Sequence, residues 1–305
     1  MLVMRAGTPK VRIDELAFSH DGGGLLAPAL AAGLCHWPTL SAGAKSEMLS
    51  LPAKVVRHLA VSPDGRTVFA GSDQLTAFDL SARTGVLLGI PKWAALRFGV
   101  SPDGRRLAVA EKPDDTRTTR LTLWDTAALA APARDLSFPA VVHSAPVFTP
   151  EGDRFLLLEA EAVEGGWDFR RVTRSAATGE VVGRSDPLPD DPDQMILSPD
   201  GSTVACRTRN TIRLYPATGG PGPGRVVAND GKQHFTGIAY HPSGRVLAAT
   251  SNDMTVKLYD AATGQPTRAF AWDIGRTRSV AFSPDGLLAA AGSDTGKVVV
   301  WDVDV

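Results

Sequence analysis

The chain has 305 residues, 43% of them apolar, which is enough to bury a large core as one domain spanning 1–305, and its 32 basic and 33 acidic residues leave a formal net charge of −1. Neither a phosphate backbone nor an anionic membrane surface is therefore an expected partner. The longest nearly apolar run, Leu25 to Cys35, is 11 residues long and holds Pro28, too short to cross a bilayer.

The first ten residues lack the charged and apolar regions of a signal peptide. The two cysteines, Cys35 and Cys206, do not make a disulfide framework and are expected to be buried thiols. A cytoplasmic monomer is the reading these features favour.

One turn recurs along the chain: Phe18-Ser-His-Asp-Gly22, Val61-Ser-Pro-Asp-Gly65, Val100-Ser-Pro-Asp-Gly104, Phe148-Thr-Pro-Glu-Gly152, Leu197-Ser-Pro-Asp-Gly201, Tyr240-His-Pro-Ser-Gly244 and Phe282-Ser-Pro-Asp-Gly286. Pro presets the first turn position, Asp bonds to nearby backbone, and Gly accepts positive φ. The copies stand 39 to 49 residues apart, a spacing that suits four short strands per unit and predicts a seven-bladed β-propeller.

Blade one covers about 11–53, and its third strand, near Leu34-Cys-His-Trp37, is expected to stop at Pro38. Blade two, about 54–91, is regular. Blade three, about 92–138, lengthens the turn between its second and third strands with residues 111–120, and blade four, about 139–190, does the same with 159–166. Both are read as loop insertions. Blade five, about 191–232, follows the acidic, Pro-broken loop 185–193, and blade six, about 233–273, is among the best preserved. Blade seven, from 274, lacks its outer strand. Leu2–Arg5 is the segment expected to fill that place beside Val298–Trp301 and so to cover an exposed sheet edge.

Third strands end in Phe78-Asp79, Trp124-Asp125, Tyr259-Asp260 and Trp301-Asp302, with Tyr215-Pro216 a weaker copy. With these endings in register with seven turns, the chain resembles the WD-repeat family over essentially its whole length. Trp167-Asp168 is out of register, and Arg174-Ser175 stands where the aromatic-Asp pair belongs. The resemblance implies an all-β propeller closed by strand exchange between the termini, and a module that binds proteins without catalysis. It also implies a buried network of His, Asp, Ser or Thr, and Trp. Asp73, Asp253 and Asp294 are kept, but Pro91, Pro139, Gly231 and Asp273 stand where the His is sought. Trp124 and Trp301 are therefore expected to act mainly through packing, without a buried polar relay.

Aligned on the turn, the fourth residue before it is Glu15, His58, Arg97, Ala145, Gln194, Gly237 or Ser279, and the fifth is Asp14, Arg57, Leu96, Ser144, Asp193, Thr236 or Arg278. In a propeller of this kind these positions ring the mouth of the central channel. Together with Trp93, His234, Trp272 and Arg276 in the preceding loops, and Arg117 and Trp167 on the lengthened turns, they make the candidate surface for a protein or peptide: Arg57, His58, Trp93, Arg97, Arg117, Trp167, Gln194, His234, Trp272, Arg276 and Arg278. His20 and His241 sit in the turn and are read as structural. No metal-ligand spacing, phosphate loop or nucleophile elbow is found, so no cofactor is expected. The alternative is a lactonase- or hydrolase-like propeller enzyme using Glu15, His58 and Arg97 at the channel.

Overall fold

The computed structural model describes residues 1–7, 11–29, 33–90, 95–112, 117–217, 224–229 and 233–303. Each repeat folds as an antiparallel sheet whose strands follow one another in chain order across the blade, except that the outer strand of blade seven comes from the N-terminus, and seven such sheets form the ring. Blade two is typical, with strands His58–Val61, Thr67–Gly71, Leu75–Asp79 and Thr84–Leu87.

The recurrent turn explains why the strands start where they do. In blade three Ser101 Oγ donates to Asp103 Oδ1 (2.6 Å), which also accepts from the Arg105 amide (3.0 Å), while Ser101 Oγ accepts from the Arg106 amide (2.9 Å) at the head of the second strand. The same bonds recur at Ser62, Ser198 and Ser283. The closing glycines take φ between 70° and 75° in all seven copies. Turns of neighbouring blades also touch, since a Cβ on Gly286 would lie 2.5 Å from His241 Nε2, which bonds the Gly286 carbonyl (3.0 Å). His241 is thus structural, as the sequence suggests.

Ring closure follows the sequence reading. Leu2–Arg5 pairs antiparallel with Lys297–Val300, Leu2 facing Val300 and Arg5 facing Lys297. Met4 is buried against Val298, Val300, Leu25 and Trp37, so the N-terminal strand joins the core shared by blades seven and one. The third strand of blade one ends at Trp37, before Pro38. Cys35 and Cys206 are free and buried.

The lengthened turns of blades three and four differ from expectation. In blade four, Arg154–Val163 and Gly166–Ser175 pair without a break from Arg154↔Ser175 to Val163↔Gly166, closed by Glu164 and Gly165 with Gly165 at φ 87°. Residues 159–166 are therefore the far end of a long hairpin, and Trp167 sits near its tip. A two-residue turn with glycine at positive φ matches the strand twist, so pairing continues to the tip. In blade three the strands Arg106–Lys112 and Thr119–Asp125 reach into both ends of the expected loop, taking in 111, 112, 119 and 120. The first strand of blade four is split into Val141–Val142 and Val147–Phe148, both paired to the second strand, with Pro146 between them.

Candidate functional site

The first strand is the innermost of each blade, and the residues at the heads of the seven first strands meet around the central channel. A central cavity of about 420 Å³ is lined by Glu15, His58, Arg97, Ala145, Gln194, Gly237 and Ser279, one from each blade, and by Asp14, Arg57, Ser144, Asp193 and Thr236 from the next position. Leu96 instead turns into the core and is fully buried. Arg278 borders an adjoining cavity of about 410 Å³ with Arg276, His234, Arg209 and Arg207.

Glu15, His58 and Arg97 form a hydrogen-bonded chain. His58 Nδ1 lies 3.2 Å from Glu15 Oε2, and Arg97 Nη1 lies 3.0 Å from His58 Nε2. A guanidinium can only donate, so Nε2 accepts and Nδ1–H donates to the Glu15 carboxylate. Burial lowers the pKa of Arg97, with the Glu15 charge opposing. His143 is pushed below its ordinary value by burial and by the nearby Lys112 and Arg97 cations, so it stands neutral at pH 7.

The remaining candidates divide by surroundings. Arg57 and Arg276 are exposed, and His234 reaches Asn210 Oδ1 (3.2 Å) and Arg209 (3.5 Å) at the surface. Arg117 and Trp167 meet across the two lengthened hairpins, with the guanidinium 5.6 Å from the ring centroid and Trp167 44% exposed. Gln194 is held inside the ring, its Oε1 accepting from Arg207 Nε (3.0 Å) and the Ile238 amide (3.2 Å). Trp272 lies away from the channel, stacked on Phe270 at 5.4 Å and tilted against Trp301 at 4.8 Å, where blades six and seven pack. Trp93 lies outside the described residues.

Arg207 was missed in the sequence, although it stands at the ninth position after the turn residue, where the other blades carry Pro28, Gly71, Ala110, Leu158, Thr250 and Gly292. It pairs with Asp193 (2.9 Å) and bonds the Phe235 carbonyl (2.8 Å), tying blade five to blade six at the channel wall. Among the described residues no three His, Cys, Asp or Glu side chains gather in a way that could hold a metal ion.

The expectation that no polar relay supports the blade aromatics is corrected in blade three. Trp124 Nε1 donates to Thr122 Oγ1 (2.9 Å), which lies 3.5 Å from Glu111 Oε1, and Arg120 bridges Glu111 (3.3 Å) and Asp135 (2.7 Å). A buried glutamate takes over the acceptor role left open by the absent His. Burial raises the Glu111 pKa, with Arg120 pulling it back. Trp301 does follow expectation, since its Nε1 has no hydrogen-bond partner. In blade four Arg174 replaces the aromatic, donating to Glu159 Oε1 through Nε (2.9 Å) and Nη2 (2.8 Å), with its guanidinium carbon 3.9 Å from the Phe138 ring centroid.

Comparison with known proteins agrees with this architecture. The family model described as "WD domain, G-beta repeat" matches residues 228–260 and 273–302, from the end of blade five through blades six and seven. The chain is 24% identical over 139 residues to the serine-threonine kinase receptor-associated protein of Gallus gallus, covering 46% of this chain and 37% of that protein. It is 27% identical over 100 residues to pre-mRNA-processing factor 19 of Oryza sativa, covering 33% and 19%. It is 26% identical over 259 residues to the 66 kDa stress protein of Physarum polycephalum, covering 82% and 39%. The chain thus spans well under half the length of the curated relatives it matches. Two repeats that match the WD-repeat model, five degenerate ones on the same ladder and a ring closed by the N-terminal strand make this chain a seven-bladed β-propeller with WD repeats.

Proposed function

We propose that the chain is a non-catalytic scaffold whose channel-mouth face binds a protein or peptide. The observation that carries this reading is the Arg117–Trp167 contact. It joins the two lengthened hairpins into one raised edge beside the channel and leaves a tryptophan 44% exposed, and Trp and Arg are the residues richest in binding energy at interfaces. Propellers of this family generally bind proteins and act as scaffolds, which supports the same reading. The two buried free thiols fit a reducing, cytoplasmic setting for the scaffold.

The arrangement around His58 argues against the hydrolase alternative. Both its ring nitrogens are engaged within the protein, and a cation occupies the lone pair that a general base would use. The test is site-specific photo-crosslinking in cells, with the crosslinking residue at Arg57 or Trp167 on the channel-mouth face and at Asp285 on the turn face. Partner adducts from the first two positions and none from Asp285 are expected. Adducts from Asp285 alone would move the interface to the other face, and metabolite turnover lost in His58→Ala would restore the enzyme reading.

A further inference from the structure

Blade four embeds a second arginine with no counter-ion. Counting three residues back from the aromatic position, the other six blades carry Leu34, Leu75, Leu121, Ile212, Val256 and Val298, all fully buried. Blade four carries Arg171, only 4% exposed. One guanidinium nitrogen donates to the Pro216 carbonyl (2.8 Å), the group lies 4.4 Å over the Tyr215 ring, and Nε is buried with no hydrogen-bond partner. Among the described residues no carboxylate pairs with it. The ionisable groups that face it, Cys206 and Tyr215, are both pushed up to about 12 by burial and are neutral at pH 7. An unpaired buried cation is strongly unfavourable, and the neighbouring Arg174 shows the usual solution, an embedded glutamate.

Arg171 forms part of the wall of a cavity of about 480 Å³ between blades four and five. Thr149, Thr173 and Ser185 add hydroxyl-bearing residues to that wall, and Arg184 stands at its edge. The acidic residues at the mouth, Glu151 and Asp153, are exposed, and Asp153 is taken up by Arg154 at 3.5 Å. We propose that this cavity is a binding site for a small oxyanion, a carboxylate or a phosphate, that supplies the missing partner of Arg171. The Thr149 hydroxyl donates to Asp153 Oδ1 (3.2 Å) and the Ser185 hydroxyl to the Asp186 carbonyl (2.7 Å), so the forked guanidinium of Arg171 is the principal donor and suits either anion, and the site lies apart from the channel face and is independent of the partner reading.

The probes are inorganic phosphate and succinate, each titrated at constant ionic strength against chloride. The readouts are the Nε–Hε resonance of Arg171 and the melting temperature of the full chain. A saturable displacement of that resonance with a rise in melting temperature is expected for at least one probe, and whichever acts identifies the source as phosphate or carboxylate. Arg171→Leu, which restores the residue type of the other blades, should abolish the anion-dependent rise. No saturable displacement with either probe overturns the proposal, as does a full rise retained in Arg171→Leu. If that variant does not fold, the resonance titration of the unsubstituted protein decides alone.

Discussion

Replacing Glu159 by glutamine removes one charge from a pair in which both side chains are almost out of water, 1% exposed for Glu159 and 6% for Arg174. The Arg174 guanidinium keeps its bond to the Gly179 carbonyl (3.0 Å) and its place over Phe138, but it loses the one carboxylate bonded to it among the described residues. Breaking a buried pair from one side leaves an uncompensated charge and costs about 3–5 kcal/mol. The reverse holds when both partners go. Glu159→Ser with Arg174→Trp recreates the pair that blade seven carries as Ser293 and Trp301, and such replacements of buried ion pairs by packed side chains are commonly neutral or stabilising by about 1–4 kcal/mol. Urea unfolding at pH 7 of the parent, both single variants and the double measures the difference. A cost below about 1 kcal/mol for Glu159→Gln, or a double variant as unstable as the worse single, would refute the claim that this pair replaces the aromatic of the repeat.

Met4→Ala should cost about 2–5 kcal/mol in the same assay because it empties a buried site at the closing strand, and removal of residues 1–7 should cause aggregation by exposing the edge of Lys297–Asp302; an unchanged melt would deny the closure its role. Trp124→Phe should cost about 1 kcal/mol more than Trp301→Phe, since only Trp124 loses a hydrogen bond from its Nε1, and equal losses would show that the Thr122–Glu111 relay contributes nothing. The turn aspartates Asp64, Asp103, Asp200 and Asp285 have pKa values held below the ordinary 3.8 chiefly by the serine hydroxyls. Their folded values lie below the unfolded one, so their stabilisation is present above about pH 4 and is lost as pH falls through the depressed values. Asp103→Asn should therefore flatten the acid limb of the stability curve, and a limb as steep as the parent's would contradict this.

The ring and its closure were legible because they depend on rules that act within one strand or one turn. Ser-Pro-Asp-Gly fixes where each second strand begins, and alternation along the first strand then sends Glu15, His58 and Arg97 to the same place on the axis. The buried charges were not legible in this way. Glu111 and Glu159 read as members of charged surface loops, yet both stand ten residues after the turn residue, where other blades place Ser72, Thr208, Ser251 and Ser293. Each is buried because an arginine on the neighbouring strand, Arg120 or Arg174, comes with it, and a strand read singly does not show its neighbour.

Blade four takes this furthest. Its third strand replaces two apolar positions of the repeat by arginine, one on each face of the sheet, with Arg174 packed toward Phe138 of blade three and Arg171 toward Tyr215 of blade five. The first is neutralised from within its own blade by Glu159. On the second face the corresponding space is not filled by a side chain of opposite charge but remains open as a cavity that reaches the surface. Dispersion and burial favour an aliphatic residue at this position in the other six blades, so the cation in blade four is stabilised either by its carbonyl and ring contacts alone or by an anion from outside. The unsatisfied Nε, which those internal contacts leave without a partner, is what separates these two cases and favours the second.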